Sequence, residues 1–140
     1  HSIDRNQLVS GIDLAPTIVD YAGLSSSVKF TGKSLKPVLE KPGEKLRDYL
    51  VVQLADDKLD SSRQARLIRN DRYKYNLYNQ GERNEQLFDL WKDPGEQHNL
   101  AYVDAYQSIK HEMHVALDEW IAATGDDFYE WKALPNSKEK

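Results

Sequence analysis

Four histidines, two adjacent acid pairs and a run of arginines are the residues of this 140-residue chain with chemistry to offer. His111 and His114 lie three apart and can share one helix face. That is half of a metal site. No third ligand accompanies them at helical spacing, and the plainer reading is a solvated pair beside an apolar stripe. His98 falls in a loop, where it reads first as loop packing, and His1 carries no readable role. Asp56-Asp57 and Asp126-Asp127 are paired carboxylates. Calcium needs six or more oxygens converging from several segments, so adjacent acids on exposed loops read as solvated. Arg63, Arg66, Arg69 and Arg72 alternate in part along one stretch. A guanidinium fork suits bidentate binding of sulfate or carboxylate, with a solvated sheet face as the alternative. The chain has no cysteine, which excludes a disulfide framework and a thiolate metal site.

These side chains need elements to hold them. Asp13 is placed to cap a helix over about 14–22, with Pro16 in its first turn. Leu14, Ile18, Val19 and Ala22 share a face of it, and Gly23 supplies a left-handed stop. Ser34 caps a short apolar turn through Leu35, Val38 and Leu39, which Lys41-Pro42-Gly43 ends. Beyond it the period changes to two. Tyr49–Leu54, Ala65–Arg69, Tyr73–Tyr78 and Gln86–Trp91 read as strands, with a tight turn at Asn70-Asp71-Arg72. Short turns between close strands predict an antiparallel meander. Tyr102, Tyr106, Ile109, Met113, Ala116, Leu117, Trp120 and Ile121 recur at helical steps, predicting a long helix over about 103–124 that covers the sheet, stopped by Gly125. Phe128, Tyr129 and Trp131 follow as aromatic candidates to pack back. The class expected is α+β.

Composition closes off other classes. The chain is 39% hydrophobic and 30% charged, which supports a folded core rather than disorder. Its net charge is -4 with both signs interspersed, so no basic patch points to nucleic acid. No apolar run approaches the ~18 residues of a membrane span.

Two stretches carry a family resemblance. Leu87 to Ala101 reads LFDLWKDPGEQHNLA, and Leu8 to Leu24 reads LVSGIDLAPTIVDYAGL. The first is similar to the ELYDL-x-x-DP-x-E-x-x-NLA signature near the C-terminus of type I, formylglycine-dependent sulfatases of the alkaline-phosphatase-like superfamily. The second resembles that family's V-S-x-x-D-L-x-P-T-I-L-D-x-A-G segment, and the order and spacing agree. The resemblance runs from Leu8 to about Thr124 and implies the tail of an enzyme. Residues 1–44 would trail from a large α/β domain, 45–131 would form the C-terminal subdomain of four antiparallel strands and a helix, and 132–140 a flexible tail.

The implied activity of the parent is hydrolysis of a sulfate ester or sulfamate. The Gln97–Ala101 run and the end of the long helix (Leu117, Trp120, Thr124, Asp126) look closest to sulfatases of sulfated carbohydrates, including the heparan N-sulfatase type. The family's nucleophile arises from Cys or Ser in C/S-x-P/A-x-R, a pattern this chain lacks. Formylglycine and calcium are therefore expected upstream, with no catalytic residue, metal ligand or cofactor here. Loops of this subdomain often wall the substrate pocket in the family, which makes Arg63 and Arg66 candidate sulfate contacts and His98 a candidate rim contact. Lys74, within Tyr73-Lys74-Tyr75, matches a strand whose residues serve packing. Asp93, Pro94, Glu96 and Asn99 read as a turn-and-cap device. The partners implied are the upstream domain and a sulfated glycan, with no nucleic acid. Leu14, Ile18, Leu35 and Leu39 would pack on that domain or on a second copy of the chain. The parent would be periplasmic, secreted or lysosomal. Three alternatives stay open: the tail of a phosphonate or phosphodiester hydrolase, a stand-alone binding module, or an inactive family member.

Overall fold

The computed structural model describes residues 7–41, 43–55 and 64–130. The chain divides into two units, His1–Leu50 and Val51–Lys140.

In the first unit, a 3-10 turn over Gly11–Asp13 runs into helix α1, Leu14–Tyr21. Gly23 ends it at φ 65°, with Gly23 N–H donating to Asp20 O and Leu24 N–H to Val19 O. That pair of bonds is a Schellman stop, as the glycine predicted. Asp13 departs from expectation. Its backbone is helical and it makes no side-chain cap to α1. Its carboxylate is instead wholly buried and gathers four donors. Arg47 reaches both oxygens at 2.9 and 2.6 Å. Ser10 N–H and Lys33 N–H each approach at 2.8 Å. Burial alone would raise this carboxyl's pKa; the Arg47 and backbone donors outweigh it and hold it below its ordinary value. Gly32 is required beside this hub, because a Cβ there would collide with the Ile12 carbonyl. Helix α2, Lys36–Glu40, follows. Ser34 Oγ accepts Lys36 N–H and donates to the Asp20 carboxylate, so it tethers α2 to α1.

The second unit holds the sheet: β1 (Leu50–Ala55), β2 (Gln64–Arg69), β3 (Tyr73–Tyr78) and β4 (Glu85–Asp89), in spatial order β1-β2-β3-β4. The sheet is antiparallel, with Ile68 opposite Tyr75 and Tyr75 opposite Leu87. Asn70 Oδ1 accepts Arg72 N–H and Tyr73 N–H, closing the turn its sequence predicted. A 3-10 turn over Asp104–Tyr106 leads into helix α3, Gln107–Thr124, which Gly125 stops at φ 67°. Met113, Leu117 and Ile121, spaced by four, form its buried edge, with Ile68, Tyr75, Leu77 and Leu87 also fully or nearly buried. Trp120, expected in the stripe, is half-buried. Phe128 does pack back and is completely buried. The α+β architecture expected from the sequence is the one observed.

Candidate functional site

Two of the described arginines of the β2 region, Arg66 and Arg72, are engaged by carboxylates, whereas Arg69 Nε is buried without a hydrogen-bond partner. Arg66 pairs with Asp126, with side chains 4% and 1% exposed. Its Nε and Nη2 donate to Asp126 at 3.1 and 2.9 Å, and Nη1 donates to Ala65 O. Asp126 also accepts from Phe128 N–H and from the Gln53 amide. The guanidinium lies 4.9 Å from the centre of the Phe128 ring. Burial favours the neutral acid, but these donors outweigh it and lower the Asp126 pKa. The solvated state expected of Asp126 is thus corrected: this carboxylate locks the segment after α3 onto β1 and β2. Arg63 and the Asp56-Asp57 pair lie outside the described residues.

A second arginine, Arg72, clasps Asp89 at the end of β4 through Nε at 3.1 Å and Nη2 at 2.7 Å. It holds the Asp89 carboxyl below the usual range. The turn that follows is built as a scaffold. Asp93 Oδ2 accepts His98 N–H at 2.8 Å. Glu96 adopts φ 54°, the one positive φ outside glycine among the described residues, and its carboxylate takes Lys74 Nζ at 2.6 Å. That ion pair ties the turn to β3, a packing role of the kind expected for Lys74. Asn99 does not cap a helix. Its Oδ1 accepts Leu87 N–H and Ala101 N–H at 3.0 Å each, and its Nδ2 donates to Glu85 O, so it pins the loop along β4. His98, the rim candidate, keeps its side chain 82% exposed, with Nδ1 3.3 Å from Asp93.

The third polar group was missed in the sequence. Tyr75 Oη donates to Glu85 Oε1 at 2.7 Å and lies 2.9 Å from His114 Nδ1. Lys110 Nζ donates to Glu85 Oε2 at 3.0 Å. His114 Nε2 stands 3.5 Å from Asp118, which also accepts from Tyr129 Oη. Tyr75 has one proton to give. With that proton on Glu85, the phenol oxygen receives its bond from His114 Nδ1–H. Burial, reinforced by Glu85, pushes the Tyr75 phenol pKa far up. Burial would raise Glu85, yet Tyr75 and Lys110 together lower it. His114 is therefore not a solvated partner of His111, which is exposed. The readable signal was Lys110, His114 and Asp118 at steps of four along one helix face. These six side chains satisfy one another between sheet and helix. Among the described residues, no three His, Asp or Glu side chains converge as a metal site. The described residues therefore offer no calcium centre.

Comparison with known proteins gives the family. A family model described as N-sulphoglucosamine sulphohydrolase, C-terminal, matches residues 1–123. The Delta 4,5-hexuronate-2-O-sulfatase of Bacteroides thetaiotaomicron is 36% identical over 118 residues, covering 84% of this chain and 24% of that protein. A solved 2-O GAG sulfatase superposes with a TM-score of 0.73 at 35% identity, over 84% of this chain and 26% of its own. The phosphonate monoester hydrolase of Agrobacterium radiobacter superposes with a TM-score of 0.64 at 26% identity, over 84% of this chain and 26% of its own. The chain thus spans about a quarter of the length of each of these three relatives. It belongs to the N-sulphoglucosamine sulphohydrolase C-terminal family, the C-terminal domain of alkaline-phosphatase-like sulfatases.

Proposed function

We propose that this chain is the C-terminal part of a sulfatase that hydrolyses sulfate esters or sulfamates of a carbohydrate, and that it supports catalysis without performing it. The observation that carries this is the family match over residues 1–123 together with a 36%-identical sulfatase of a sulfated sugar. Formylglycine and calcium would come from the upstream domain and supply the nucleophile and the charge that binds sulfate. The residues described here order a scaffold: Arg66–Asp126, Arg72–Asp89 and the Tyr75–His114 network fix strands, turn and helix. Residues 1–44 are assigned to the end of the large domain, 45–131 to the subdomain and 132–140 to a tail. Substrate contacts are proposed at Arg63 and His98. Arg66, committed to Asp126, supports the strand that leaves the 56–63 segment.

A second reading, the tail of a phosphonate ester hydrolase, has the Agrobacterium structure in its favour. One comparison separates these. The 140-residue chain and the intact protein are each assayed on 4-nitrophenyl sulfate and on a phenylphosphonate monoester. Sulfate release by the intact protein and none by the chain alone is expected. Turnover by the chain alone would contradict the supporting role, and preferential phosphonate cleavage would replace the sulfatase reading.

A further inference from the structure

Trp91 is the most exposed of the large apolar side chains described, at 70%, yet its indole is engaged at two points and its backbone at a third. Its backbone N–H donates to Asp89 Oδ1 at 3.3 Å, and its indole Nε1–H donates to Asp71 O at 3.2 Å. The Arg72 guanidinium lies 5.2 Å from the ring centre, and Asp89 fixes that guanidinium in turn. An exposed ring normally rotates freely and loses that freedom on binding. Here the ordering cost is met in the unbound state. With its N–H occupied and one side against Arg72, the indole offers a π surface and no hydrogen bond.

The surroundings say what fits. A protein-binding hot spot lies within a continuous apolar patch. Trp91 instead leads into an exposed polar run of Lys92, Pro94, Gly95, Gln97 and His98. A single apolar ring among polar groups suits a ligand that is apolar on one face and hydroxylated at its edge, the chemistry of a pyranose. Lys92 makes no ion pair among the described residues, and the His98 ring is 82% exposed. The Lys92 ammonium favours an acidic sugar, and the His98 ring, with Nδ1 3.3 Å from Asp93 Oδ2, offers an exposed polar edge beside it in the chain. We propose that Trp91, with Lys92 and His98 on the segment after β4, forms a stacking platform for a pyranose ring of an acidic glycan. The ligand class rests on the sulfated-carbohydrate reading above.

The test is calorimetric titration of the intact protein with a size-defined heparin octasaccharide and, separately, a hyaluronan octasaccharide, which carries carboxylates but no sulfate. Trp91→Ala weakens heparin binding about tenfold, while Trp91→Phe, which keeps a ring, loses under about threefold. The double variant Lys92→Gln/His98→Gln binds more weakly and with a shallower salt dependence. Binding of both glycans supports a platform that reads uronate; binding of heparin alone supports one that reads sulfate. Equal affinity of wild type and Trp91→Ala overturns the proposal, as does a wild type that binds neither glycan. Failure here is separable from failure of the enzymatic reading. A protein that binds heparin through Trp91 but releases no sulfate keeps the platform and loses the sulfatase; one that releases sulfate with Trp91-independent binding does the reverse.

Discussion

The two units are held together by different means. Among the described residues, eleven of the twelve buried hydrophobic side chains belong to the second unit and only Leu8 to the first. The first unit is organised around a buried charge, Asp13, with Arg47 across it. Its apolar residues face outward: Leu14 is 59% exposed, Ile18 67% and Leu39 62%. The second unit also buries an Arg–Asp pair, but sets it beside a packed core of Ile68, Tyr75, Leu87, Met113, Leu117 and Phe128. A sheet with a covering helix closes on itself. Two short helices with an outward apolar surface are the expected form of a segment that finishes its folding against something else.

That contrast can be broken at its polar end first. Removing one partner of a buried ion pair leaves an uncompensated charge, so Asp13→Ala destabilises the first unit by ~3–5 kcal/mol. Hydrogen exchange reads it: α1 amides lose protection while β3 and α3 keep theirs. The same hub responds to pH. Asp13 sits below its ordinary pKa of 3.8 in the folded chain. Its contribution is therefore fully present above about pH 5 and is lost as acid carries the pH down through the lowered folded value. Asp13→Asn removes the Asp13 share of that acid dependence, leaving the part that Asp20 on α1 keeps through Ser34 and Lys36 and the acid response of the second unit, where Asp126 is lowered likewise.

In the second unit the apolar core is the weak point. Leu117→Ala empties a fully buried position and costs about 3 kcal/mol, read as a drop in the denaturant midpoint of the sheet and α3 together. The smallest effect belongs to the outward face of α1. Ile18→Ser changes the stability of the isolated chain by less than about 0.5 kcal/mol. In the intact protein the same change costs more if α1 seats against the upstream domain, and comparing the two melting curves sharpens the contrast directly.

Local signals were legible in the sequence and distant ones were not. The alternation of Tyr73, Tyr75 and Leu77 located β3 to the residue. Gly23 and Gly125 marked both helix ends, because a left-handed backbone is where glycine costs least. β4 stops at Asp89, short of the Trp91 its apolar run suggested. There Asp89 O turns to accept Lys92 N–H and Asp93 N–H, and a turn replaces the ladder. Apart from the four-residue steps of Lys110, His114 and Asp118, the polar clusters left no such trace. Asp13 reads as a helix cap because capping is a rule of adjacent residues, whereas its real partner, Arg47, is 34 positions away. Arg66 and Asp126 are 60 apart, and Tyr75 and His114 are 39 apart. Spacing carries no information at those separations; only the folded sheet and helix bring the groups together. The family signature was legible for the opposite reason, since the Asp93–Asn99 turn folds on itself and on its neighbouring strands.

The most direct test of the account is the natural coding sequence upstream of His1. The account predicts several hundred residues of an α/β domain containing a Cys or Ser in a C/S-x-P/A-x-R context. A threonine nucleophile in that domain, or a start codon immediately before His1, would contradict it.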